Sequence, residues 1–274
     1  MPSDSIAVTG ASGALGRLVV RRLLDLVPAG RIVAVVRDPA RVADLAERGV
    51  TVRRGDYDEP GGLAEALAGV NRLLLISSPE LDAGRRTAQH RDAIGAASKA
   101  GVGAVAYTSF LGADAEAGGL TEAHHATELA IRDSGLPYTM LRNPFYTDAF
   151  VHPGLRAAVA AGELTGGTGG RGLNTATRHD LAEAAAAVLT GDGHDGRGYD
   201  LTGPLWTFPE LAAVLSEVSG SPVAHREEPP AGPMGFLHGL ARAGVLERQT
   251  DDLARLLVRP ATRLRDAVEA ALAG

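Results

Sequence analysis

Residues 6–17 read Ile-Ala-Val-Thr-Gly-Ala-Ser-Gly-Ala-Leu-Gly-Arg, and no other stretch narrows the possible folds as far. An apolar run leads into a tight turn with glycines at 10, 13 and 16, and Leu15, Leu18, Val19 and Leu23 then recur at helical period. Strand, turn and helix follow in that order. Gly10 lets the chain reverse at positive φ, and Gly13 lets backbone N–H groups approach a pyrophosphate. Gly16 lets the helix lie close on the sheet, with its bare N-terminal amides aimed at an anion. In that context the spacing points to a dinucleotide site built on Gly10, Gly13 and Gly16.

The rest of the first half repeats the theme. Residues 31–37, 50–53, 72–78, 105–109 and 138–142 are short runs rich in β-branched and aliphatic side chains. Patterns of helical period over about 39–48, 62–67, 83–100 and 121–133 separate them. Strands alternating with helices at this spacing specify α/β architecture, a Rossmann-type doubly wound parallel sheet. Past Asn143 the rhythm changes to an aromatic cluster (Phe145, Tyr146, Phe150), a short helix and a Gly-rich run over 162–172 expected to be a hairpin or surface loop. Arg178 starts another helix, residues 199–201 read as one more strand, and Thr207-Phe208-Pro209-Glu210 is a capping box. A Pro-Gly linker from Pro229 precedes short amphipathic helices. The expected division is a dinucleotide-binding domain over 1–148, with 176–203 packing onto it. A smaller, mostly helical C-terminal substrate lobe takes 149–175 and 204–274 and lies over the carboxyl ends of the strands.

Which dinucleotide is meant turns on the end of the second strand. A carboxylate there bonds the ribose 2′-OH of NAD; this chain has Arg37, which either pairs with the 2′-phosphate of NADP(H), with Arg41 as a second charge, or is simply a solvated residue at the strand end. Asp38 is adjacent, so NADP is a preference between two cofactors. Asp56, past the third strand, either accepts from the adenine amino group or caps the next turn. Composition removes other chemistries. There is no cysteine, hence no disulfide, thiolate metal site or cysteine nucleophile, which fits a cytoplasmic protein. A net charge of −6 with interspersed signs argues against nucleic acid. No apolar run is long enough to span a membrane, and Pro2-Ser3-Asp4-Ser5 is no signal peptide.

Several further segments, taken with the glycine turn, carry a family likeness: Val35-Val36-Arg37-Asp38-Pro39, Gly55-Asp56-Tyr57, Leu74-Leu75-Ile76-Ser77-Ser78, Gln89-His90-Arg91, Ala126-Thr127-Glu128 and Leu141-Arg142-Asn143-Pro144-Phe145-Tyr146. Together they resemble the NmrA-like branch of atypical short-chain dehydrogenase/reductases, in particular the type-2 NAD(P)H:quinone oxidoreductases and the triphenylmethane reductases. The resemblance implies NADPH bound by Gly10, Ser12, Gly13, Ala14, Leu15 and Arg37, with Asp56 and Tyr57 beside it and Ser77 and Ser78 near the ribose and nicotinamide. It also implies that Asn143, Pro144 and Tyr146 line a pocket for an apolar, electron-poor acceptor such as a quinone, a dye or a polycyclic natural product. Between Gly244 and Thr250, where these reductases carry an additional helix, this sequence is much shorter. The expected assembly is a monomer or homodimer.

The usual proton donor of short-chain dehydrogenases, a Tyr-x-x-x-Lys pair, is absent: Lys99 is the only lysine, and Gly95 stands four residues before it. Hydride transfer to a quinone or a cationic dye needs little acid help, which leaves orientation as the main catalytic device. His124 either donates a proton or has a structural role, and Tyr146 either contacts a planar acceptor or packs in the core. Asn143 either bonds the nicotinamide carboxamide or simply ends its strand. The same family also holds NAD(P)-binding regulators that act through a protein partner without turnover. The missing Tyr/Lys pair and the short 244–250 stretch fit that alternative.

Overall fold

The computed structural model describes residues 4–115, 119–228 and 233–273. Pro2, Ser3 and the start of the Pro-Gly linker at Pro229 lie outside them. Strand β1 (Ile6–Thr9) is buried throughout and turns at Gly10 into helix α1 (Ala14–Leu26), which buries Leu15, Val19, Val20 and Leu23 at the spacing of one helix face. β2 (Ile32–Val36) is also wholly buried, as a strand covered on both faces must be. The helix expected over 39–48 is instead a 3-10 turn, Pro39–Val42, and a short α2 (Ala43–Glu47). Val42, at φ −130° and ψ 28°, departs from helical geometry and divides them. There follow β3 (Thr51–Arg54), α3 (Leu63–Ala66), β4 (Arg72–Leu75), α4 (Ala83–Ala100), β5 (Ala104–Phe110), α5 (Glu122–Asp133) and β6 (Tyr138–Asn143). Next come β7 (Phe145–Tyr146), α6 (Arg156–Ala161), β8 (Glu163–Gly166), β9 (Leu173–Ala176), α7 (Arg178–Thr190) and β10 (Arg197–Asp200). The chain ends with β11 (Leu205–Trp206), α8 (Phe208–Ser219), β12 (Ala224–Glu227), α9 (Pro233–Arg242), α10 (Asp252–Leu257) and α11 (Leu264–Ala273).

The chain forms two compact units, Met1–Asn143 with Leu181–Asp200, and Pro144–Asp180 with Leu201–Gly274. In the first, seven parallel strands run in the order β10-β6-β5-β4-β1-β2-β3. This is the doubly wound Rossmann-like sheet that the alternation of elements specifies. From β1 the chain winds one way to β2 and β3, and then the other way through β4, β5 and β6. The reversal lies between β1 and β4, and in open α/β sheets ligands bind outside the carboxyl ends of the strands at such a point. Val33, Val35, Leu73, Leu75, Val105, Tyr107 and Met140 pack with Leu63, Leu67, Ala93, Ala97 and Ile131 in one buried layer, which fixes α3, α4 and α5 on the sheet.

The strand expected over 72–78 leaves the ladder after Leu75, because side chains take its remaining amides. Ile76 N–H goes to Thr9 Oγ1 (2.9 Å), Ser77 N–H to Thr108 Oγ1 (2.9 Å) and Ser78 N–H to His90 Nε2 (2.8 Å). The chain thus enters the crevice in a conformation set by side chains.

In the second unit the run over 162–172 does not close a hairpin. Its leading limb, β8, pairs in parallel with β12, while β9 pairs in parallel with β7 and antiparallel with β11. The helices of this unit therefore pack with two small sheets. Phe150, Trp206 and Phe208 meet edge to face at centroid distances of 5.6–6.5 Å, and Trp206 Nε1–H, buried with them, donates to Thr175 Oγ1 (2.8 Å). The capping box of α8 is present as read from the sequence.

Candidate cofactor and active site

Gly10 holds φ +59°, and its carbonyl accepts the Gly13 N–H at 2.9 Å, which makes the turn between β1 and α1. A Cβ on Gly16 would fall inside van der Waals contact of the Gly10 carbonyl oxygen and 2.9 Å from Ala11 Cα, so only glycine lets the helix come this close. Helix α1 begins at Gly13 with no side-chain cap and no acid in its first turn, a start it shares in part with α2, α3, α5, α6 and α10, so the glycine turn beneath it is what sets it apart. Gly10, Gly13 and Ala14 are exposed, Ser12 is half-buried, and Leu15 and Gly16 are buried. A helix start that leaves its first amides uncapped, with a glycine cradle beneath it, fits a pyrophosphate.

At the end of β2, Arg37 is exposed and makes no hydrogen bond or ion pair among the described residues. The adjacent Asp38 carboxylate is engaged: it accepts Ala40 N–H (3.0 Å) and starts the 3-10 turn. Arg17 reaches Asp44 with Nη1 (2.6 Å) and the Arg41 carbonyl with Nη2 (2.5 Å), which ties α1 to the segment after β2; its guanidinium holds the Asp44 carboxyl below the usual carboxylate range. Asp56 accepts Asp58 N–H at 3.1 Å, a local turn cap that occupies one carboxylate oxygen. Tyr57 turns inward, its hydroxyl 2.7 Å from both Thr9 Oγ1 and the Ile76 carbonyl, and burial pushes this phenol up. Gly10, Tyr57, Ile76, Ser77 and Ser78 are thereby brought to the one crevice where the sheet reverses.

Behind that crevice is a buried polar cluster. A backbone N–H can only donate, so His90 Nε2 accepts from Ser78, and the proton of the neutral ring lies on Nδ1. There it donates to Thr127 Oγ1 (2.8 Å), whose own proton goes to the Ala123 carbonyl (2.6 Å). The Tyr107 hydroxyl lies 2.9 Å from His124 Nδ1, within hydrogen-bond reach. Burial, with the nearby Arg86 charge, pushes both His90 and His124 down to about 3, and the His124 charge adds to the shift at His90. At neutral pH His124 is a neutral hydrogen-bond donor, not an imidazolium acid.

These histidines make stability depend on pH. Unfolding returns each from about 3 to 6.5, so the unfolded chain binds more protons between those values. Stability is full above that window and is lost as pH falls through it, by up to about 1.4 kcal/mol per pH unit for each histidine. Urea unfolding near pH 7.5 and near pH 5 checks this, with His124→Gln expected to flatten the slope; equal stability at both would contradict it.

Ser109 and His124 do not form a hydrolase pair, for Ser109 Oγ donates to Glu128 Oε1 (2.7 Å). Arg142 meets the same carboxylate twice at 2.8 Å, with Asp114 and Asp200 each 3.5 Å from its Nη1. This buried arginine fastens β6, and with it Asn143, to α5. Asn143 and Pro144 are buried, and the Asn143 carbonyl accepts Leu111 N–H (2.9 Å). In the second unit Tyr146 is half-buried on β7, with the Arg178 guanidinium carbon 4.5 Å over its ring; Arg178 pairs in turn with Asp148 (3.4 Å). At the start of α7 the Asp180 carboxylate clasps Arg259 (2.8 Å) and Thr262 N–H (2.7 Å). Among the described residues no group of acids and histidines could hold a metal, and no helix is long and apolar enough to cross a membrane.

Gln89, His90, Tyr107, Thr127, Glu128 and Arg142 have no role assigned from the sequence alone. The usable signal was polar residues in phase with an apolar stripe: Gln89 and His90 precede Ala93, Ile94 and Ala97 on α4, and His124, Thr127 and Glu128 precede Ile131 on α5.

A family model described as NAD(P)H-binding matches residues 10–192. Quinone oxidoreductase 2 of Escherichia coli (strain K12) is 41% identical over 280 residues, spanning 96% of this chain and 97% of that protein. Among solved structures, the Citrobacter sp. triphenylmethane reductase complexed with NADP(H) superposes with a TM-score of 0.93 at 41% identity, covering 97% of this chain and all of that one. An Escherichia coli NADPH-dependent quinone oxidoreductase complexed with NADPH does so with a TM-score of 0.86 at 40% identity, over 97% and 99% of the two chains. With the uncapped α1, the glycine cradle and this near full-length likeness together, the chain belongs to the NAD(P)H-binding, NmrA-like family.

Proposed function

We propose that the chain is an NADPH-dependent reductase that passes a hydride directly to a quinone-like or other conjugated apolar acceptor. The observation that carries this is the contrast at the end of β2, where the Arg37 guanidinium is unpaired among the described residues and the Asp38 carboxylate is engaged in its cap. A ribose 2′-phosphate therefore meets a cation there. The relatives support the reaction: one is named as a quinone oxidoreductase and another as a triphenylmethane reductase, each matching nearly the whole chain.

NADPH, when bound, supplies a hydride from its nicotinamide. The chain's own residues bind and orient. The amides at the start of α1 and the turn Gly10, Ser12, Gly13, Ala14, Leu15 and Gly16 hold the pyrophosphate, and Arg37 holds the 2′-phosphate. Asp56 and Tyr57 flank the adenosine side, and Ser77, Ser78, Asn143 and Pro144 the nicotinamide side. Tyr146, steadied by Arg178, receives the acceptor in the smaller unit. His124 offers a neutral N–H. No strong acid is required, since a hydroquinone anion takes its proton from water, and Lys99 lies exposed in the last turn of α4. The protein works in the cytoplasm as a monomer or homodimer, on a small apolar acceptor and without nucleic acid or membrane.

Arg37→Glu tests the cofactor assignment. Its KM for NADPH is expected to rise by on the order of a hundredfold while that for NADH changes little, because the lost pair is charge-assisted and only NADPH carries the 2′-phosphate. Equal losses for the two cofactors would remove Arg37 from the site.

A further inference from the structure

We propose that His90, with Gln89, is a positioning residue for the cofactor: from α4 it sets the Ser77–Ser78 segment against which the ribose–nicotinamide half rests, without itself touching the reacting atoms. The proposal rests on the NADPH assignment above. Its ground is that every polar atom of Ser78 is taken by one face of α4. The backbone N–H donates to His90 Nε2 (2.8 Å), the hydroxyl donates to Gln89 Oε1 (2.5 Å), and the carbonyl accepts from Arg86 Nε (2.8 Å). Positions 86, 89 and 90 are related by three and four residues, so a single helix face presents all three groups.

These bonds stand in for the strand ladder, which ends at Leu75. The segment they hold faces the glycine turn, because Ile76 side-chain atoms lie 3.7 Å from where a Cβ on Gly10 would be. Arg37 and the pyrophosphate turn occupy the β1–β2 side of the crevice, so the other half of a dinucleotide extends to the β4 side, past Ser77 and Ser78. Ser78 is buried and fully engaged, whereas Ser77 is half-buried with no side-chain hydrogen bond among the described residues.

The device is braced from behind. His90 is completely buried, its Nδ1–H is fixed by Thr127 on α5, and its ring stands edge-on to Tyr107 at 5.5 Å. Gln89 Nε2 donates to Asp58 (2.7 Å), which also pairs with Arg85 (3.0 Å); this links the segment to the loop after β3. A ring nitrogen whose tautomer is set by its outer partner, and which in turn fixes a backbone amide at the site wall, resembles the outer-shell orientation seen around metal-bound histidines.

The test separates the two halves of the cofactor. His90→Phe keeps the ring and its contact with Tyr107 but removes the acceptor for Ser78 N–H. The dissociation constant for NADPH is expected to rise on the order of tenfold, while that for adenosine 2′,5′-bisphosphate, which lacks the nicotinamide half, stays within about twofold. His90→Gln, which retains an acceptor and a donor, is expected to recover most of the NADPH affinity. Ser109→Ala is the matched control, for it removes a buried hydrogen bond to α5 and leaves His90, Gln89 and Ser78 untouched; a merely structural role would lower kcat through the active fraction at unchanged KM in all three. Unchanged NADPH affinity in His90→Phe, or equal loss of both ligands, would overturn the proposal. A wild-type protein that binds neither ligand would overturn it together with the cofactor assignment, and that result is distinguishable from the other two.

Discussion

Replacing Gly16 by alanine is expected to lower NADPH affinity by on the order of a hundredfold while leaving the protein folded. The added Cβ would be driven against the Gly10 carbonyl oxygen and would lie 2.9 Å from Ala11 Cα. Both atoms are backbone, so neither can swing aside as a flexible side chain would. The turn also has little room to give, because Gly10 holds a left-handed φ of 59° and its carbonyl is the acceptor for Gly13. Relief requires α1 to move off the sheet, which carries its first amides away from the pyrophosphate. Gly95→Ala makes the comparison: nothing lies within 4 Å of that position on the exposed face of α4, and alanine in a helix interior is expected to stabilise by about 0.5–1 kcal/mol. Calorimetric titration with NADPH and a thermal melt of each variant decide the matter, and wild-type affinity in Gly16→Ala would contradict this account of the turn.

Glu128→Ala is expected to cost about 3–5 kcal/mol of stability, the loss typical of a buried charge stripped of its partner. The side chains of Arg142 and Glu128 are 8% and 1% exposed and meet through two parallel 2.8 Å bonds, so the guanidinium has no route to water once the carboxylate is gone. Asp114 and Asp200, each at 3.5 Å, compensate only in part. Ser109 loses its acceptor at the same time. Glu128→Gln keeps one acceptor and is expected to cost about 1.5–3 kcal/mol. Urea unfolding of the two variants beside wild type checks the ordering. A cost below about 1 kcal/mol for Glu128→Ala, the scale of an exposed ion pair, would contradict the role given to this clamp. Because β6 ends at Asn143, the same variant should also loosen that residue, which is proposed above to flank the nicotinamide.

The parts of the fold legible in the sequence are those governed by short-range periodicity. The strands with runs such as Ile32–Val36, the helices at 83–100 and 122–133, and the capping box at Thr207 follow from patterns of two and of three to four residues. The exposed place of Arg37 just past β2 was legible because the β-branched run over 32–36 marks the end of that strand. What was not legible depended on partners distant in sequence. Ile76, Ser77 and Ser78 follow directly on the apolar run 73–75 and read as strand, yet Thr9, Thr108 and His90 draw their amides out of the ladder. Within the 162–172 run β8 pairs with β12, and β9, which follows it, pairs with β7 and β11; no turn residue announces that. The protonation of His124 was beyond sequence reasoning for the same reason, since its burial and its contact with the Tyr107 hydroxyl come from tertiary packing.

The central claim is tested most directly by anaerobic oxidation of NADPH, followed at its own absorbance, with a small panel of quinones and one triphenylmethane dye, beside an NADH control. Turnover with a clear preference for NADPH is the predicted result, and the acceptor oxidised fastest identifies the class that the site was built for. Tight NADPH binding with no oxidation by any acceptor would contradict it, and would instead mark the chain as a cofactor-sensing protein that acts through a partner.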